Sequence, residues 1–342
     1  MKIRKNKIIA LLLVAGLSIG ALSGCKALDK AVEEAEDKVT DVTLEEEGEI
    51  NLNLEAAQNG VQEEKEEIDP LTIELPEPEY DPGENNEDLV FDDGRKQIVF
   101  MGDSVFDMAR DGTGVPYLTA EQLDFNVVNL AIGGSRATIE QDEEPEVENW
   151  TSKSLNGLIF YMQGKVGIEL FEGTNAKSRL EDKTIDWSKT DYFVIEYGIN
   201  DFLSHTPLDD ESSRYNVKTY VGALRLAIDH LKEVAPDAQI ILCTPHYIEI
   251  YGAGGVLIGD ANMLHNGYGT LFDYAGKVQY MAGEQEVWCF DAFRELDLSS
   301  VNIANYSDDG IHLNEAGRKR YADLLAEFIR GIEEERNANE AQ

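Results

Sequence analysis

Five short apolar runs constrain the fold of this chain more than any other feature. They are rich in Val, Ile and aromatic residues, do not alternate in polarity, and cover residues 97–101, 126–132, 191–197, 239–244 and 287–290. Strands that are buried on both faces have this appearance, because neither face needs polar side chains. Each run therefore predicts a buried strand.

Segments with helical spacing lie between these runs. Apolar residues recur three and four positions apart from Tyr220 to Val234, and the same spacing appears in residues 321–332. Strands that alternate with helices predict a parallel sheet with helices on both faces. The sequence therefore predicts an α/β fold, a single three-layer α/β/α domain with a five-stranded parallel sheet, over residues 97–336. A short tail at 337–342 follows it.

Two connections, residues 141–189 and 245–270, are longer than a simple crossover requires. Long connections at strand ends often form the walls of a substrate cleft. Their aromatic side chains could stack on sugar rings or could anchor the loops, and both interpretations stay open: Trp150, Tyr161, Trp187, Tyr247, Tyr251 and Tyr268.

The first 24 residues have the pattern of an export signal peptide. Four basic residues lie within Met1 to Lys7, and a mainly apolar stretch from Ile8 to Leu22 follows, which is too short for a comfortable membrane span. The tetrapeptide Leu22-Ser-Gly-Cys25 resembles the lipobox of bacterial lipoproteins. The resemblance implies cleavage before Cys25, lipidation of its thiol, and an exported protein anchored to the outer face of the bacterial cell membrane. An ordinary signal peptide with a chance cysteine is the alternative.

Residues 25–96 are predicted to form an acidic, disordered tether. Residues 26–96 contain 25 acidic and 6 basic residues, a net charge of −19. Such a segment cannot bury enough apolar surface to offset the entropy lost on ordering. A folded acidic subdomain is the alternative. The net charge of −38 for the whole chain also argues against nucleic acid as a partner, because clustered Lys and Arg bind phosphates.

Cys243 and Cys289 each lie in a predicted buried strand. Two cysteines in so long a chain do not make a disulfide framework. Buried free thiols are favoured, and a single bridge is the alternative.

Four polar motifs mark the predicted strand ends and the start of the last helix. They are Gly102-Asp-Ser104, Asn129-Leu-Ala-Ile-Gly-Gly134, Gly198-Ile-Asn-Asp201 and Asp309-Gly-Ile-His312. Taken singly, these motifs are typical of a helix N-cap, of βα turns and of an incidental Asp–His pair. The carboxyl ends of parallel strands meet at one edge of a sheet, where ligands bind in open α/β folds. Together, the motifs therefore favour a functional site.

These residue types suit acyl transfer. A serine nucleophile needs a base beside it and a carboxylate that orients the base, and Asp309 and His312 are spaced to make that hydrogen bond locally. The amide of Asn200 can donate to an oxyanion, as can the N–H of a glycine after the second strand.

The four motifs, in this order and strand context, resemble those of the SGNH (GDSL-type) hydrolases over residues 97–335. The resemblance implies a flavodoxin-like sheet of order 2-1-3-4-5. It implies Ser104 as the nucleophile, His312 as the base and Asp309 as its partner. It also implies an oxyanion hole formed by the N–H groups of Ser104 and Gly134 and the amide of Asn200.

Two departures from the family pattern are visible. Ala131 stands where the family often has glycine, which loosens the choice of Gly134 over Gly133, and Val105 stands where leucine often follows the serine.

The expected function is that of a serine esterase that works through an acyl-enzyme, with no cofactor and no metal. The favoured substrate is a short-chain acyl ester, such as an O-acetyl group, on an extracellular glycan or polysaccharide. A lipase or lysophospholipase activity and acyl transfer are alternatives on the same triad. A non-catalytic binding lipoprotein is disfavoured, since such proteins usually have two α/β lobes and this chain has strands for one. The remaining histidines are predicted to be surface or packing residues: His205, His230, His246 and His265.

Overall fold

The computed structural model describes residues 93–340, and only the backbone of Glu340. The predicted signal peptide, Cys25 and nearly all of the predicted tether lie outside the described residues. The described part contains seven strands: β1 (Gln97–Gly102), β2 (Asn126–Asn129), β3 (Tyr192–Glu196), β4 (Gln239–Cys243), β5 (Glu249–Tyr251), β6 (Leu257–Asp260) and β7 (Trp288–Phe290).

Five of these strands form one parallel sheet in the order β2-β1-β3-β4-β7. The five predicted strands and their predicted order are thus confirmed. β2 is shorter than predicted, because the side chain of Asn129 turns the chain out of the strand. Its Oδ1 accepts the N–H of Ala131 at 3.0 Å, and its Nδ2 donates to the carbonyl of Phe106 at 2.8 Å.

The helices pack in two groups. They are α1 (Ser104–Asp107), α2 (Val115–Leu123), α3 (Leu155–Met162), α4 (Ala176–Leu180), α5 (Ile199–Leu203), α6 (Tyr220–Val234), α7 (Leu271–Gln285), α8 (Ala292–Glu295) and α9 (Glu315–Glu340). α2 packs against α9, whereas α6 packs against α3 and α7. The chain leaves β1 toward one edge of the sheet and β3 toward the other, so right-handed crossovers place their helices on opposite faces. This is the predicted three-layer arrangement.

α6 begins and ends where the spacing predicts. The hydroxyl of Thr219 caps it by accepting the N–H of Gly222 at 3.3 Å, and the predicted apolar positions are buried. Within residues 93–340, no helix is long and apolar enough to cross a bilayer.

Both long connections carry structure of their own. Residues 141–189 contain α3, α4 and short 3₁₀ turns, and residues 245–270 contain the antiparallel hairpin of β5 and β6. Cys243 and Cys289 lie on the neighbouring strands β4 and β7, and both are free thiols, as favoured from the sequence. Cys243 is buried as predicted, whereas Cys289 is only partly buried, because β7 is an edge strand of the sheet.

Candidate active site

Ser104 lies at the carboxyl end of the central strand β1, as the first residue of α1. The helix cap is Asp103, whose Oδ1 accepts the N–H of Val105 at 3.0 Å, so the cap interpretation of Ser104 is wrong. Gly102 makes this turn possible, since a Cβ there would lie 2.8 Å from the carbonyl oxygen of Glu196. Ser104 is 8% exposed, and its hydroxyl makes no hydrogen bond to any residue in the described part of the chain.

Asp309 and His312 form the pair that their spacing predicts. Nδ1–H of His312 donates to Oδ2 of Asp309 at 2.6 Å, while Oδ1 accepts the N–H groups of Ile311 and His312 at 2.8 and 2.7 Å. Burial acts to raise the pKa of Asp309, but its hydrogen bonds and the charge of His312 hold that pKa well below its usual range. Asp309 is therefore ionised, and it fixes the tautomer that leaves Nε2 of His312 free to accept a proton.

The turn from Asp309 to His312 is held by the second long connection. The N–H of Glu249 donates to the carbonyl of Gly310 at 2.8 Å, and Nε2–H of His246 donates to the carbonyl of Ile311 at 2.9 Å. His246 is completely buried, and this burial lowers its pKa to about 4. His246 is therefore a neutral packing residue, one of the two alternatives predicted, and it anchors the turn that carries His312.

Two of the three predicted oxyanion donors are backbone N–H groups that have no acceptor in the described part of the chain. Among the hydrogen bonds within residues 93–340, none uses the N–H of Ser104 or of Gly134. The N–H of Gly133, in contrast, donates to Oδ2 of Asp107 at 2.7 Å. Gly134 also has a left-handed backbone, with φ of 72°. The geometry therefore favours Gly134 over Gly133 as the donor.

The amide of Asn200 lies between the serine turn and the glycine turn. Its Nδ2 donates to Oδ2 of Asp103 at 3.0 Å and to the carbonyl of Ser135 at 3.1 Å. The carbonyl of Ser135 can only accept, so the nitrogen of the amide must be the atom that faces both partners. An oxyanion would therefore share or replace the bond to Ser135, because both N–H groups of this amide are already engaged.

Two buried acids hold the glycine turn, and sequence reasoning gave neither a role. Asp201 accepts the N–H groups of Ala137 and Thr138 at 3.0 and 3.2 Å and the Thr138 hydroxyl at 2.8 Å. Oδ1 of Asp107 accepts Nε of Arg110 at 2.6 Å, while Oδ2 holds Gly133. These bonds fix the backbone that leads to and from Gly134.

Arg110 also holds the backbone that leads from β2 to Gly134. Its two Nη groups donate to the carbonyls of Asn129 and Ala131, at 3.1 and 2.6 Å. Arg110 is buried, so its charge needs the partner that Asp107 provides. The carbonyls that Arg110 contacts lie 19 and 21 positions away in the sequence, so only the folded chain reveals this role.

The structure brings the nucleophile turn and the histidine turn close together without joining them by a hydrogen bond. Within the described residues, His312 makes no bond to the hydroxyl of Ser104. Burial raises the pKa of Asp103, the neighbour of Ser104, to about 6, and the charge of His312 is among the effects that limit this rise. Catalytic hydrogen bonds often shorten only when substrate binds.

The aromatic residues of the long connections divide into anchors and exposed rings. Trp150 and Tyr247 are buried, the hydroxyl of Tyr161 donates to the carbonyl of Leu180, and Trp187 packs against the core. Tyr251 and Tyr268 are 38% and 52% exposed. Tyr251 would meet any Cβ added at Gly310, so its ring lies against the histidine turn.

No group of three or more His, Cys, Asp or Glu side chains in residues 93–340 is arranged to hold a metal ion. His265 is an exposed residue whose Nδ1 accepts the N–H of Gly267 at 3.0 Å, and His230 lies within reach of Glu233. Both histidines contact residues within three positions of themselves in the sequence.

Comparisons with known proteins agree with this architecture. A family model described as GDSL-like lipase/acylhydrolase matches residues 100–320. A search of curated proteins returned no match. One solved structure, 19% identical, superposes with a TM-score of 0.51 over 70% of this chain and 97% of its own, which shows the fold.

Two further solved structures resemble this chain less closely. A possible lipase from Chitinophaga pinensis is 17% identical, with a TM-score of 0.48, over 69% of this chain and 98% of its own. A variant of an acetyl-xylooligosaccharide esterase from Geobacillus is 21% identical, with a TM-score of 0.43, over 69% of this chain and 94% of its own.

Proposed function

This chain belongs to the GDSL-like lipase/acylhydrolase family and is an ester hydrolase, and we propose that it is a serine esterase that uses Ser104, His312 and Asp309. The observation that carries the proposal is the 2.6 Å hydrogen bond between His312 and Asp309, because it leaves the other imidazole nitrogen as a base. The N–H groups of Ser104 and Gly134, which have no acceptor among the described residues, support the same assignment.

The proposed reaction has two halves. In the first, Nε2 of His312 takes the proton of Ser104 as Oγ attacks the ester carbonyl, and the tetrahedral oxyanion accepts hydrogen bonds from Ser104, Gly134 and Asn200. The imidazolium then returns the proton to the departing alcohol, which leaves an acyl-enzyme. In the second half, His312 takes a proton from water, the hydroxide attacks the acyl carbon, and Ser104 recovers its proton as the acid leaves.

We propose a short-chain acyl ester, such as an O-acetyl group, on an extracellular glycan or polysaccharide as the substrate. Two observations support this class. Ser104 is 8% exposed, which suits a small acyl group, and the half-exposed ring of Tyr251 beside Gly310 offers a face for a sugar. We also propose, from the lipobox-like tetrapeptide, that a lipid on Cys25 holds the enzyme at the outer face of the bacterial cell membrane.

A lipid ester is the second candidate, and one feature of the hairpin favours it. Val256, Leu257 and Ile258 at the hairpin, with Met263 beyond it, are 66%, 49%, 37% and 75% exposed. The hairpin contacts the histidine turn through Glu249, so an acyl chain that lay along it would reach the site.

The test is a series of p-nitrophenyl esters of increasing chain length, together with acetylated glycans. We expect the highest kcat/KM for acetate and no turnover by Ser104→Ala. A maximum at long chains would select the lipid alternative, and full activity of Ser104→Ala would refute the proposed nucleophile.

A further inference from the structure

Glu196 is a completely buried acid in the centre of the fold. It is the last residue of β3, in register with Gly102 of β1, and its carboxyl group is completely buried. No N–H or hydroxyl of the described residues reaches either of its oxygens. An ionised carboxylate in such a place would be very costly. A neighbouring group must therefore stabilise the buried carboxyl of Glu196.

The group that Glu196 meets is the carboxyl of Asp103, one residue before Ser104. Glu196 is in register with Gly102, the residue directly before Asp103, and the side chains of Asp103 and Glu196 act on each other's pKa. Two carboxyls can form a hydrogen bond only when one of them carries a proton. The pair must therefore share a proton between its two members.

The other contacts decide which member holds that proton. Asp103 accepts the N–H of Val105 on Oδ1 and the amide of Asn200 on Oδ2, both at 3.0 Å. Glu196 accepts nothing from any N–H or hydroxyl of residues 93–340. Donors stabilise the anion, so Asp103 is the carboxylate and Glu196 is the acid.

The surroundings of Glu196 agree with this assignment. Burial, together with the charges of Asp103 and Asp201, raises the pKa of Glu196 well above its usual range. Four further titratable groups interact electrostatically with Glu196, and all four are buried and neutral: Tyr197, Tyr220, Tyr321 and Cys243. The groups around Glu196 thus favour its neutral form.

We propose that Glu196 is a positioning residue, a protonated acid whose O–H fixes the Asp103 carboxylate and, through it, the Asn200 amide of the oxyanion hole. Glu196 touches neither Ser104 nor the substrate in this arrangement. The inference rests on the proposed function, because it assumes that Asn200 donates to the oxyanion.

A double-mutant cycle tests the proposal on the full chain. Glu196→Leu removes the O–H, and Glu196→Gln supplies an N–H donor in its place. Each is made alone and together with Asn200→Ala, and kcat and KM are measured with p-nitrophenyl acetate. Ile195→Val, a buried neighbour on the same strand, is the control for lost packing.

We expect Glu196→Leu to lower kcat about tenfold or more, less than the roughly 10²–10³ expected for loss of a whole donor. KM should change little, because the oxyanion exists mainly in the transition state. In the Asn200→Ala background the same substitution should add almost no loss. Glu196→Gln should keep most of the parent kcat, and Ile195→Val should not affect it.

Three outcomes would overturn the inference alone, provided that Asn200→Ala is itself impaired. The first is that Glu196→Leu lowers kcat by the same factor in the parent and in the Asn200→Ala background. The second is that Glu196→Gln lowers kcat as much as Glu196→Leu does. The third is that Glu196→Leu leaves kcat unchanged. An Asn200→Ala variant as active as the parent would instead refute the oxyanion role on which the inference depends.

Infrared spectroscopy provides a second measurement that does not require Glu196→Leu to fold. The spectrum of the parent at neutral pH, minus that of Glu196→Gln, should contain the carbonyl band of a protonated carboxylic acid. Absence of that band would overturn the inference.

Discussion

His246→Gln separates the titration of a buried histidine from its structural role. The imidazole of His246 donates from Nε2 to the carbonyl of Ile311 at 2.9 Å, and its Nδ1 has no partner among the described residues. The amide of glutamine can donate to the same carbonyl but does not titrate. A comparison of the two chains at several pH values therefore isolates the effect of the imidazole.

The sign of the effect follows from the lowered pKa. Burial holds the pKa of His246 at about 4 in the folded protein, while an unfolded histidine titrates near ~6.5. Between these values the unfolded chain binds a proton that the folded chain does not, so stability falls as the solution is acidified. The contribution is fully present above about pH 6.5, is reduced by about 2 kcal/mol at pH 5, and is reduced by about 3 kcal/mol at pH 4.

Two charged groups near His246 modify this balance. The charge of His312 lowers the pKa of His246 further, and Asp309 opposes that effect. Both groups are present in the parent and in the variant, as are all the buried carboxyls. Their direct contributions therefore cancel to a first approximation when the two chains are compared.

The assay is urea unfolding of the full chain at pH 7.5 and pH 5, followed by tryptophan fluorescence. Between these two pH values, the parent should lose about 2 kcal/mol more of its free energy of unfolding than His246→Gln. His265→Gln, which alters an exposed histidine of the same connection, should follow the parent. Equal losses in the parent and in His246→Gln would refute the reasoning.

Four further predictions concern the site and the N-terminal region. Asn200→Ala should lower kcat by about 10²–10³ with little change in KM, and unchanged kcat would reduce Asn200 to a turn residue. Tyr251→Ala should raise KM for an acetylated glycan but not for p-nitrophenyl acetate, and an equal rise for both would argue against a sugar contact. Cys25→Ala should move the protein from the membrane fraction to the soluble fraction; persistence at the membrane would disprove the lipid anchor. Removal of residues 1–90 should leave cooperative urea unfolding and full activity, and loss of either would disprove the tether.

The parts of the fold that the sequence predicts well are those encoded locally. Each strand of the main sheet lies in a short run rich in apolar residues, and α6 has regular spacing and a capping threonine, so neighbouring residues suffice to locate them. The hairpin of β5 and β6 could not be located in this way. Its strands are only three and four residues long, and they pair with each other rather than with the main sheet. Such short strands leave no clear pattern in the sequence, so the sequence predicts only a long connection there.

The sequence predicts residues for the candidate site but not the contacts that these residues make. Asp309 and His312 are three positions apart, so their bond is local. The bonds of Asn200 reach Asp103 and Ser135, which are 97 and 65 positions away in the sequence, and only the folded sheet brings these groups together. One feature of the sequence points to Glu196: it is a charged residue inside a predicted strand with two buried faces, where an unpaired charge would be costly.

The acids beside the oxyanion hole raise a physical problem, because an anion nearby opposes the negative charge that develops on the substrate. Asp103 and Asp201 are buried there, and each is stabilised by N–H groups that it accepts. A third anion at Glu196 would add to this repulsion, because the low dielectric of the interior screens charges weakly. A proton on Glu196 removes that added repulsion and keeps the hydrogen bond to Asp103. The same proton would therefore both hold the Asn200 amide in place and limit the negative charge around the nucleophile.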